Sequence, residues 1–117
     1  MICVATFLRH LLFAEPIVSR TLPSEPRRDD LALPSVLYAL SEQVRLDIVR
    51  QLAGCERACG AVTISMPKSS LSHHFRVLRE CGVVTTRREG KALINCLRRE
   101  DLDARFPGLL AAVLGAR

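Results

Sequence analysis

The sequence has no tryptophan, and aromatic residues make up only 4% of its 117 residues. Any core must therefore be built mainly from leucine, valine, isoleucine and alanine. Hydrophobic residues make up 49% of the chain and charged residues 25%, which is the ordinary balance of a globular protein. A chain of this length fits one domain with one modest core, which a partner subunit can help to complete.

The side chains needed for a catalytic centre are also scarce. The chain has three histidines but neither a nucleophile motif nor a glycine-rich phosphate loop, so we do not expect an enzyme. The five cysteines are odd in number and form no Cys-x-x-Cys pair. A disulfide framework is therefore not expected, and the pattern favours a reducing, cytoplasmic location.

Long hydrophobic runs are absent as well. The apolar start, MICVATFLRHLLFA, is interrupted by Arg9 and His10, lacks the basic beginning of a signal peptide and is too short to span a bilayer. We therefore expect no membrane contact. Residues 15–30 contain three prolines and no apolar periodicity, which is typical of a linker. We predict a poorly ordered N-terminal extension over residues 1–28 and one folded domain over residues 29–117.

Two helices are predicted at the start of this domain. LALPSVLYAL (31–40) is an apolar helix that begins near Pro34, and Ser41 offers an N-cap for a second helix over 42–53. Apolar residues recur at helical spacing on one side of each helix. They are Leu33, Val36, Leu37 and Leu40 in the first helix and Leu46, Val49, Leu52 and Ala53 in the second. The charged residues Arg45, Asp47 and Arg50 are expected to face away from the second stripe.

The rest of the chain predicts further helices and a hairpin. CERACGAV, after Gly54, can form a short third helix, and residues 63–65 are prone to an extended conformation. VVTTRR and KALINCL, joined by Glu89-Gly90, predict a β-hairpin. A short helix near 100–105 and another from Pro107 to Gly115 complete the chain. This order is that of a mainly α domain with a β-hairpin wing, a winged helix-turn-helix.

The clearest predicted helix lies over residues 68–80. Pro67 suits a helix start and Gly82 a helix stop. Its apolar residues fall at i, i+3, i+4 and i+7 on one face, and its short polar residues fall at the same spacing on another face. The apolar stripe is Leu71, His74, Phe75 and Leu78, and the polar stripe is Ser69, Ser72, His73 and Arg76.

These two stripes favour a helix that enters the major groove of DNA. Serine lets the backbone approach closely, Arg76 can bond guanine or a phosphate, and the helix N-terminus offers amide donors to a phosphate. An ordinary surface helix would more often carry acidic residues here, and this face has none before Glu80. Adjacent helical residues point about 100° apart, so His73 and His74 cannot bind one metal ion. We expect His73 to face DNA and His74 to be buried.

Most of the net positive charge lies near this helix. The net charge of the chain is +5, and residues 68–91 carry six basic and two acidic residues. Clustered positive charge attracts nucleic acid, although a solvated basic surface would show the same composition. Arg87, Arg88 and Lys91, at the turn of the hairpin, can reach a minor groove or its phosphates.

Three segments resemble the ArsR/SmtB family of bacterial winged-helix repressors. They are SEQVRLDIVRQL (41–52), PKSSLSHHFRVLRECGVV (67–84) and TTRREGKALINCL (85–97). The resemblance implies a homodimer, built through the first and last helices, that binds a palindromic operator in double-stranded DNA and is released by an inducer. By position, it places DNA contacts at eight residues, which are Ser69, Ser70, Ser72, His73, Arg76, Arg87, Arg88 and Lys91. Lys68, at the start of the same helix, is also predicted to contact DNA.

The metal sites of the family are matched less well. The tail has Asp101 and Asp103 but no histidine, so a zinc site between the last helices is not expected. Cys55 and Cys59 are four residues apart and, if helical, could share a soft metal or a trivalent arsenical. They could instead form a redox switch, or fill space as small buried residues. No cofactor is predicted with certainty.

The sequence therefore predicts a dimeric, sequence-specific DNA-binding repressor. Two alternatives stay open at this point. One is a winged-helix module that binds proteins rather than DNA, which would need an acidic or apolar outer face over residues 67–80. The other is a thiol-responsive or metal-responsive variant of the same fold.

Overall fold

A computed structural model describes residues 25–54, 62–116 and the backbone of residues 57–58. Residues 1–24 of the predicted extension, and the candidate thiols Cys55 and Cys59, lie outside the described residues. The predicted boundary between residues 28 and 29 remains a prediction.

The described chain forms five helices, a short 3-10 turn and one small sheet. A 3-10 turn at Arg28–Asp30 precedes helices α1 (Leu33–Ala39) and α2 (Gln43–Gly54) and strand β1 (Arg57–Ala58). Helix α3 (Lys68–Glu80), strands β2 (Val84–Glu89) and β3 (Ala92–Leu97), and helices α4 (Arg99–Arg105) and α5 (Leu109–Gly115) follow. The strands are antiparallel in the order β1-β3-β2. The predicted mainly α fold with a hairpin wing is confirmed.

The prediction of a short helix over CERACGAV is wrong at residues 57–58. There the backbone forms β1, in which Arg57 is paired with Asn95 and Ala58 with Ile94 of the wing. Residues 63–65 belong to no helix or strand, and the amide of Ile64 donates to the carbonyl of Val62 (3.2 Å). The sheet therefore has three strands, one more than the hairpin alone.

The core lies between α2, α3 and the start of the wing. Ile48 and Val49 of α2, Phe75 and Leu78 of α3, and Val83 are all fully buried. Burying one such side chain stabilises the folded state by about 1.5–3 kcal/mol. Because Phe75 and Leu78 anchor α3 from one side, its opposite side is left facing solvent.

Two details predicted for α2 are corrected. Arg45 does not face solvent: it is 5% exposed and lies on the buried stripe with Ile48, Val49 and Leu52, while Leu46 and Ala53 are only partly buried. Nor does Ser41 cap the helix, because its hydroxyl donates to the carbonyl of Tyr38 at the end of α1 (2.6 Å). The carboxylate of Glu42 instead accepts from the amide of Val44 (2.9 Å).

Helix α3 ends at the predicted glycine and leads directly into the wing. The amide of Val83 donates to the carbonyl of Leu78 (2.9 Å) and that of Gly82 to Arg79 (3.1 Å), which is a Schellman motif. Gly82 has φ +87°, and a Cβ added there would lie 2.1 Å from Cδ2 of Leu31. Both the backbone conformation and the lack of a side chain are therefore needed at this position.

The wing has the predicted hairpin register. Pairing runs from Val84 with Leu97 to Glu89 with Ala92, leaving Gly90 (φ +61°) and Lys91 as the turn. Helices α4 and α5 follow as predicted, although α5 begins at Leu109, two residues after Pro107. None of the helices in the described ranges has the length and apolar character required to cross a bilayer.

Residues 25–30, here called the N-terminal strap, contact the edge of the wing and α4. Glu25 accepts hydrogen bonds from the hydroxyl of Thr85 (2.7 Å) and the amide of Thr86 (3.0 Å). Arg98 donates to the carbonyl of Pro26 (2.7 Å), and Arg28 donates to Asp101 (2.6 Å). The strap thereby connects the outer strand of the sheet to α4.

Candidate nucleic-acid interface

The outer face of α3 presents the predicted polar side chains to solvent. Ser69, Ser72, His73 and Arg76 are all exposed, as is Lys68, and Ser70 is half-buried. The predicted apolar stripe of this helix packs on the other side, with Phe75 and Leu78 fully buried. The structure therefore brings together every predicted contact residue of the helix on or beside one accessible surface. We call this surface the α3 outer face.

His73 and Arg76 lie one turn apart on this face and contact each other. Nη2 of Arg76 is 3.5 Å from Nδ1 of His73. Because a guanidinium can only donate, Nδ1 of His73 must be the acceptor in this arrangement. The contact keeps the guanidinium along the helix surface, where its remaining N–H groups can reach a base edge or a phosphate.

The N-terminal end of α3 suits a phosphate oxygen. Pro67 is the residue before the helix rather than its first residue, and the first turn contains no acidic residue. The first amides of any helix lack carbonyl partners within it and attract anions. Lys68 adds a positive charge at the same end, so this terminus is favourable for a DNA backbone.

The wing carries its three predicted cations on exposed positions. Arg87, Arg88 and Lys91 are all exposed. Arg87 also forms an ion pair within the wing, with Nε and Nη2 at 2.9 and 2.8 Å from one carboxylate oxygen of Glu89. Glu89 therefore offsets one of the three positive charges and limits the reach of Arg87.

His74 differs from its neighbour. Its side chain is 14% exposed, and Nδ1 lies 3.3 Å from Nη1 of Arg45 and 3.4 Å from a carboxylate oxygen of Glu42. The histidine that was predicted to be buried is therefore mostly covered, and it lies within hydrogen-bonding distance of Arg45. Within the described ranges, no three His, Cys, Asp or Glu side chains are grouped to hold a metal ion.

Sequence analysis missed Arg45 as a residue of this region. The pattern that could have found it is its spacing, because Arg45 precedes Ile48, Val49 and Leu52 by three, four and seven residues. That is the spacing of one helical face. A polar residue at the first position of an apolar stripe is a candidate for a buried, hydrogen-bonded cation.

A second exposed surface is apolar. Leu33, Leu37 and Tyr38 of α1 are 42%, 47% and 58% exposed, and they are the large hydrophobic residues with high exposure in the described chain. We call these three residues the α1 apolar patch. The predicted interface helix α1 therefore has an apolar surface that its own subunit does not cover.

Comparisons with known proteins agree with this geometry. Residues 42–86 match the family described as bacterial regulatory protein, arsR family. The chain is 35% identical over 86 residues to the uncharacterized HTH-type transcriptional regulator YceK of Bacillus subtilis, covering 70% of this chain and 86% of that protein. The family-matched segment contains α2, α3 and the first three residues of β2.

Two solved structures are similar in fold and sequence. The transcriptional repressor BigR from Xylella fastidiosa is 31% identical, with a TM-score of 0.56 over 73% of this chain and 88% of that one. The homodimeric winged helix-turn-helix DNA-binding domain of Mb0332 from Mycobacterium bovis is 32% identical, with a TM-score of 0.58 over 69% and 76%. These relatives agree with the polar outer face of α3 and with the basic wing. The chain therefore belongs to the ArsR family and is a DNA-binding transcription regulator.

Proposed function

We propose that this chain is a homodimeric, sequence-specific repressor that places α3 of each subunit in the major groove of a palindromic operator. The observation that carries the proposal is the α3 outer face, where serine, histidine and arginine side chains are exposed with no acidic residue before Glu80. Such a surface complements base edges and phosphates. An interaction module for other proteins would favour an acidic or apolar face at this position.

Each predicted contact residue has a distinct role in this proposal. Arg76 and His73 contact base edges, while Ser69 and Ser72 allow close approach of the backbone and bond phosphates or bases. Lys68, Ser70 and the first amides of α3 contact the DNA backbone. Arg87, Arg88 and Lys91 follow the neighbouring phosphates from the wing, with Arg87 restrained by Glu89.

The α1 apolar patch supports the homodimer. A two-fold dimer uses the same patch on both subunits, so an uncovered apolar surface on one helix can be buried by its own copy. The similar Mb0332 domain is described as homodimeric. Two α3 helices related by a two-fold axis would contact two half-sites about one turn of DNA apart, which is why a palindromic operator is proposed.

The proposal is tested by selecting a duplex from a random library with the purified protein. Affinity for the selected and a scrambled duplex is then measured by fluorescence anisotropy across a range of salt concentrations. Arg76→Ala should weaken binding to the selected duplex by about 1–3 kcal/mol and relax the base preference at one position. Arg88→Ala should weaken binding to both duplexes alike and reduce the salt slope by about one.

Arg105→Ala is the matched control, because Arg105 is an exposed arginine on α4 that donates to the carbonyl of Arg28, within the strap. It removes the same charge away from the α3 outer face and should have little effect on base preference. If no duplex is enriched, or if Arg76→Ala and Arg105→Ala bind alike, the proposed DNA surface is wrong.

An inducer is proposed only as a class. Cys55 and Cys59 lie outside the described residues, and they flank strand β1 in the sequence rather than one helical turn. A soft metal ion, an arsenical or an oxidant is the chemistry that thiols sense, and we propose these two residues as the thiols. Metal analysis of the reduced protein, combined with DNA release by zinc, cadmium, arsenite and peroxide, tests this. Release that persists in the Cys55→Ser, Cys59→Ser double variant would exclude these thiols as the sensor.

A further inference from the structure

Arg45 is a buried cation that bonds the end of another helix. Its Nε donates to the carbonyl of Ala39 (2.7 Å) and its Nη2 to the carbonyl of Tyr38 (3.1 Å), both at the C-terminal end of α1. The guanidinium also lies over the ring of Tyr38, 5.1 Å from the centroid. The last carbonyls of a helix lack partners within it and carry partial negative charge, so a cation here stabilises the end of α1.

A further donor of Arg45 faces α3. Nη1 lies 3.3 Å from Nδ1 of His74, in the middle of that helix, and donates to it when the ring carries its proton on Nε2. His74 follows His73 directly, and the two rings have centroids 5.7 Å apart. One side chain on α2 therefore bonds α1 with two of its donors and α3 with a third.

A buried arginine is costly unless its donors are satisfied, and an apolar residue of similar size would often be as stable. An arginine differs from an apolar residue because its planar guanidinium holds several acceptors in defined directions. The helices that it connects have different tasks. The α1 helix carries the α1 apolar patch, and α3 carries the outer face proposed to contact DNA.

We propose that Arg45 is a positioning residue that sets the orientation of α3 relative to α1, and thereby the separation of the two α3 helices in the dimer. The inference rests on the proposed function. Contacts to base edges need hydrogen bonds of narrow length and angle, whereas attraction to phosphates depends mainly on charge. Loss of the Arg45 contacts should therefore reduce specific binding more than non-specific binding.

The test compares Arg45→Met with Arg50→Met in the full chain. Arg50 lies on the same helix, but its partners are the carbonyl of Ala116 and the carboxylate of Asp47. Binding to the selected and the scrambled duplex is measured well below the melting temperature of each variant. Arg45→Met should raise Kd for the selected duplex about tenfold, equal to about 1.4 kcal/mol, and less than about threefold for the scrambled duplex. Arg50→Met should change both by less than about twofold.

Operator spacing gives a readout that lower stability alone would not change. The selected duplex is prepared with one base pair added or removed between its half-sites. Wild type should lose affinity for both altered duplexes, whereas Arg45→Met should show a smaller loss or a shifted optimum. Equal ratios of affinity across the three duplexes for wild type and Arg45→Met would overturn the proposal.

Variants of His74 keep the test independent of the folding of Arg45→Met. His74→Leu removes the acceptor for Nη1, and His74→Gln restores an acceptor. His74→Leu should reduce the preference for the selected duplex, and His74→Gln should recover part of it. Identical preferences for both variants and wild type would also overturn the proposal. If the wild-type protein itself enriches no duplex, the proposed function fails instead.

Discussion

Gln51 and Thr63 form a reciprocal pair of hydrogen bonds. Nε2 of Gln51 donates to the carbonyl of Thr63 (3.1 Å), and the amide of Thr63 donates to Oε1 of Gln51 (2.9 Å). A side-chain amide thus bonds both the amide and the carbonyl of one backbone residue. The bonds fix the segment before α3 against α2, so the start of α3 has a defined position.

Replacing Gln51 with alanine should lower the free energy of unfolding by about 1–2 kcal/mol, since each hydrogen bond of this kind contributes about 0.5–1.5 kcal/mol. Urea denaturation measures the change. Gln43→Ala is the control, because Gln43 bonds the exposed side chain of Asp47 one turn along the same helix. Equal losses for the two variants would contradict a specific role for the Gln51 pair.

Gly82→Ala should be more destabilising than Gly90→Ala. Both glycines have positive φ, but a Cβ at Gly90 would meet nothing within 4 Å, whereas at Gly82 it would overlap Leu31. Backbone strain alone costs about 1–2 kcal/mol, and the overlap adds to it. The difference between the two melting temperatures therefore measures the contact with Leu31. A similar loss for both variants would mean that the side chain of Leu31 moves aside at little cost.

The ion pairs of Asp101 should make stability depend on pH. The hydrogen bond from Arg28, followed by that from Arg98, lowers the pKa of Asp101 below its usual value. A carboxylate with a lowered folded pKa contributes stability above its unfolded pKa of about 4, and this contribution is lost as pH falls through the folded pKa. Asp101→Asn should therefore be less stable than wild type at pH 7, with the difference shrinking towards pH 3.

Asp103→Asn, an exposed position on the same helix, serves as the comparison for this measurement. Its difference from wild type should be smaller at pH 7. An Asp101→Asn difference that stays constant from pH 7 to pH 3 would show that the ion pairs contribute no pH-dependent stability.

Leu37→Glu should convert the proposed dimer into a monomer. The substitution places a carboxylate in the α1 apolar patch, and burying an unpaired charge at an interface costs several kcal/mol. Sedimentation velocity measures the oligomeric state, and circular dichroism checks that the subunit stays folded. Ala104→Glu, at an exposed position on α4, introduces the same charge outside the patch. If Leu37→Glu remains a dimer, the interface does not include the α1 apolar patch.

The elements with local patterns could be predicted from the sequence. The bounds of α3 follow from an apolar stripe between Pro67 and Gly82, and the wing follows from alternating β-branched residues around Glu89-Gly90. The exposure of Ser72 and Arg76 follows from the same stripe, because burying Phe75 fixes which side of the helix faces outward.

The features that depend on residues distant in the sequence could not be predicted. Strand β1 has two residues and pairs with β3 far along the chain, and the partners of Glu25 lie 60 and 61 residues away. Arg45 is polar, so the sequence of its own helix predicts that it faces solvent. Its burial depends on acceptors that come from α1 and α3. A periodic pattern describes one helix at a time and does not reveal which carbonyls another helix leaves unpaired.

The bond between Glu25 and Thr86 has a consequence for shortened versions of the chain. Strand β2 is at the edge of the sheet, and the carboxylate of Glu25 occupies an amide that an additional strand would use. Unprotected sheet edges invite pairing with a second polypeptide. A protein trimmed to start at residue 29 would expose this backbone and could aggregate through its edge strands. Mutations in α1 would not prevent such aggregation.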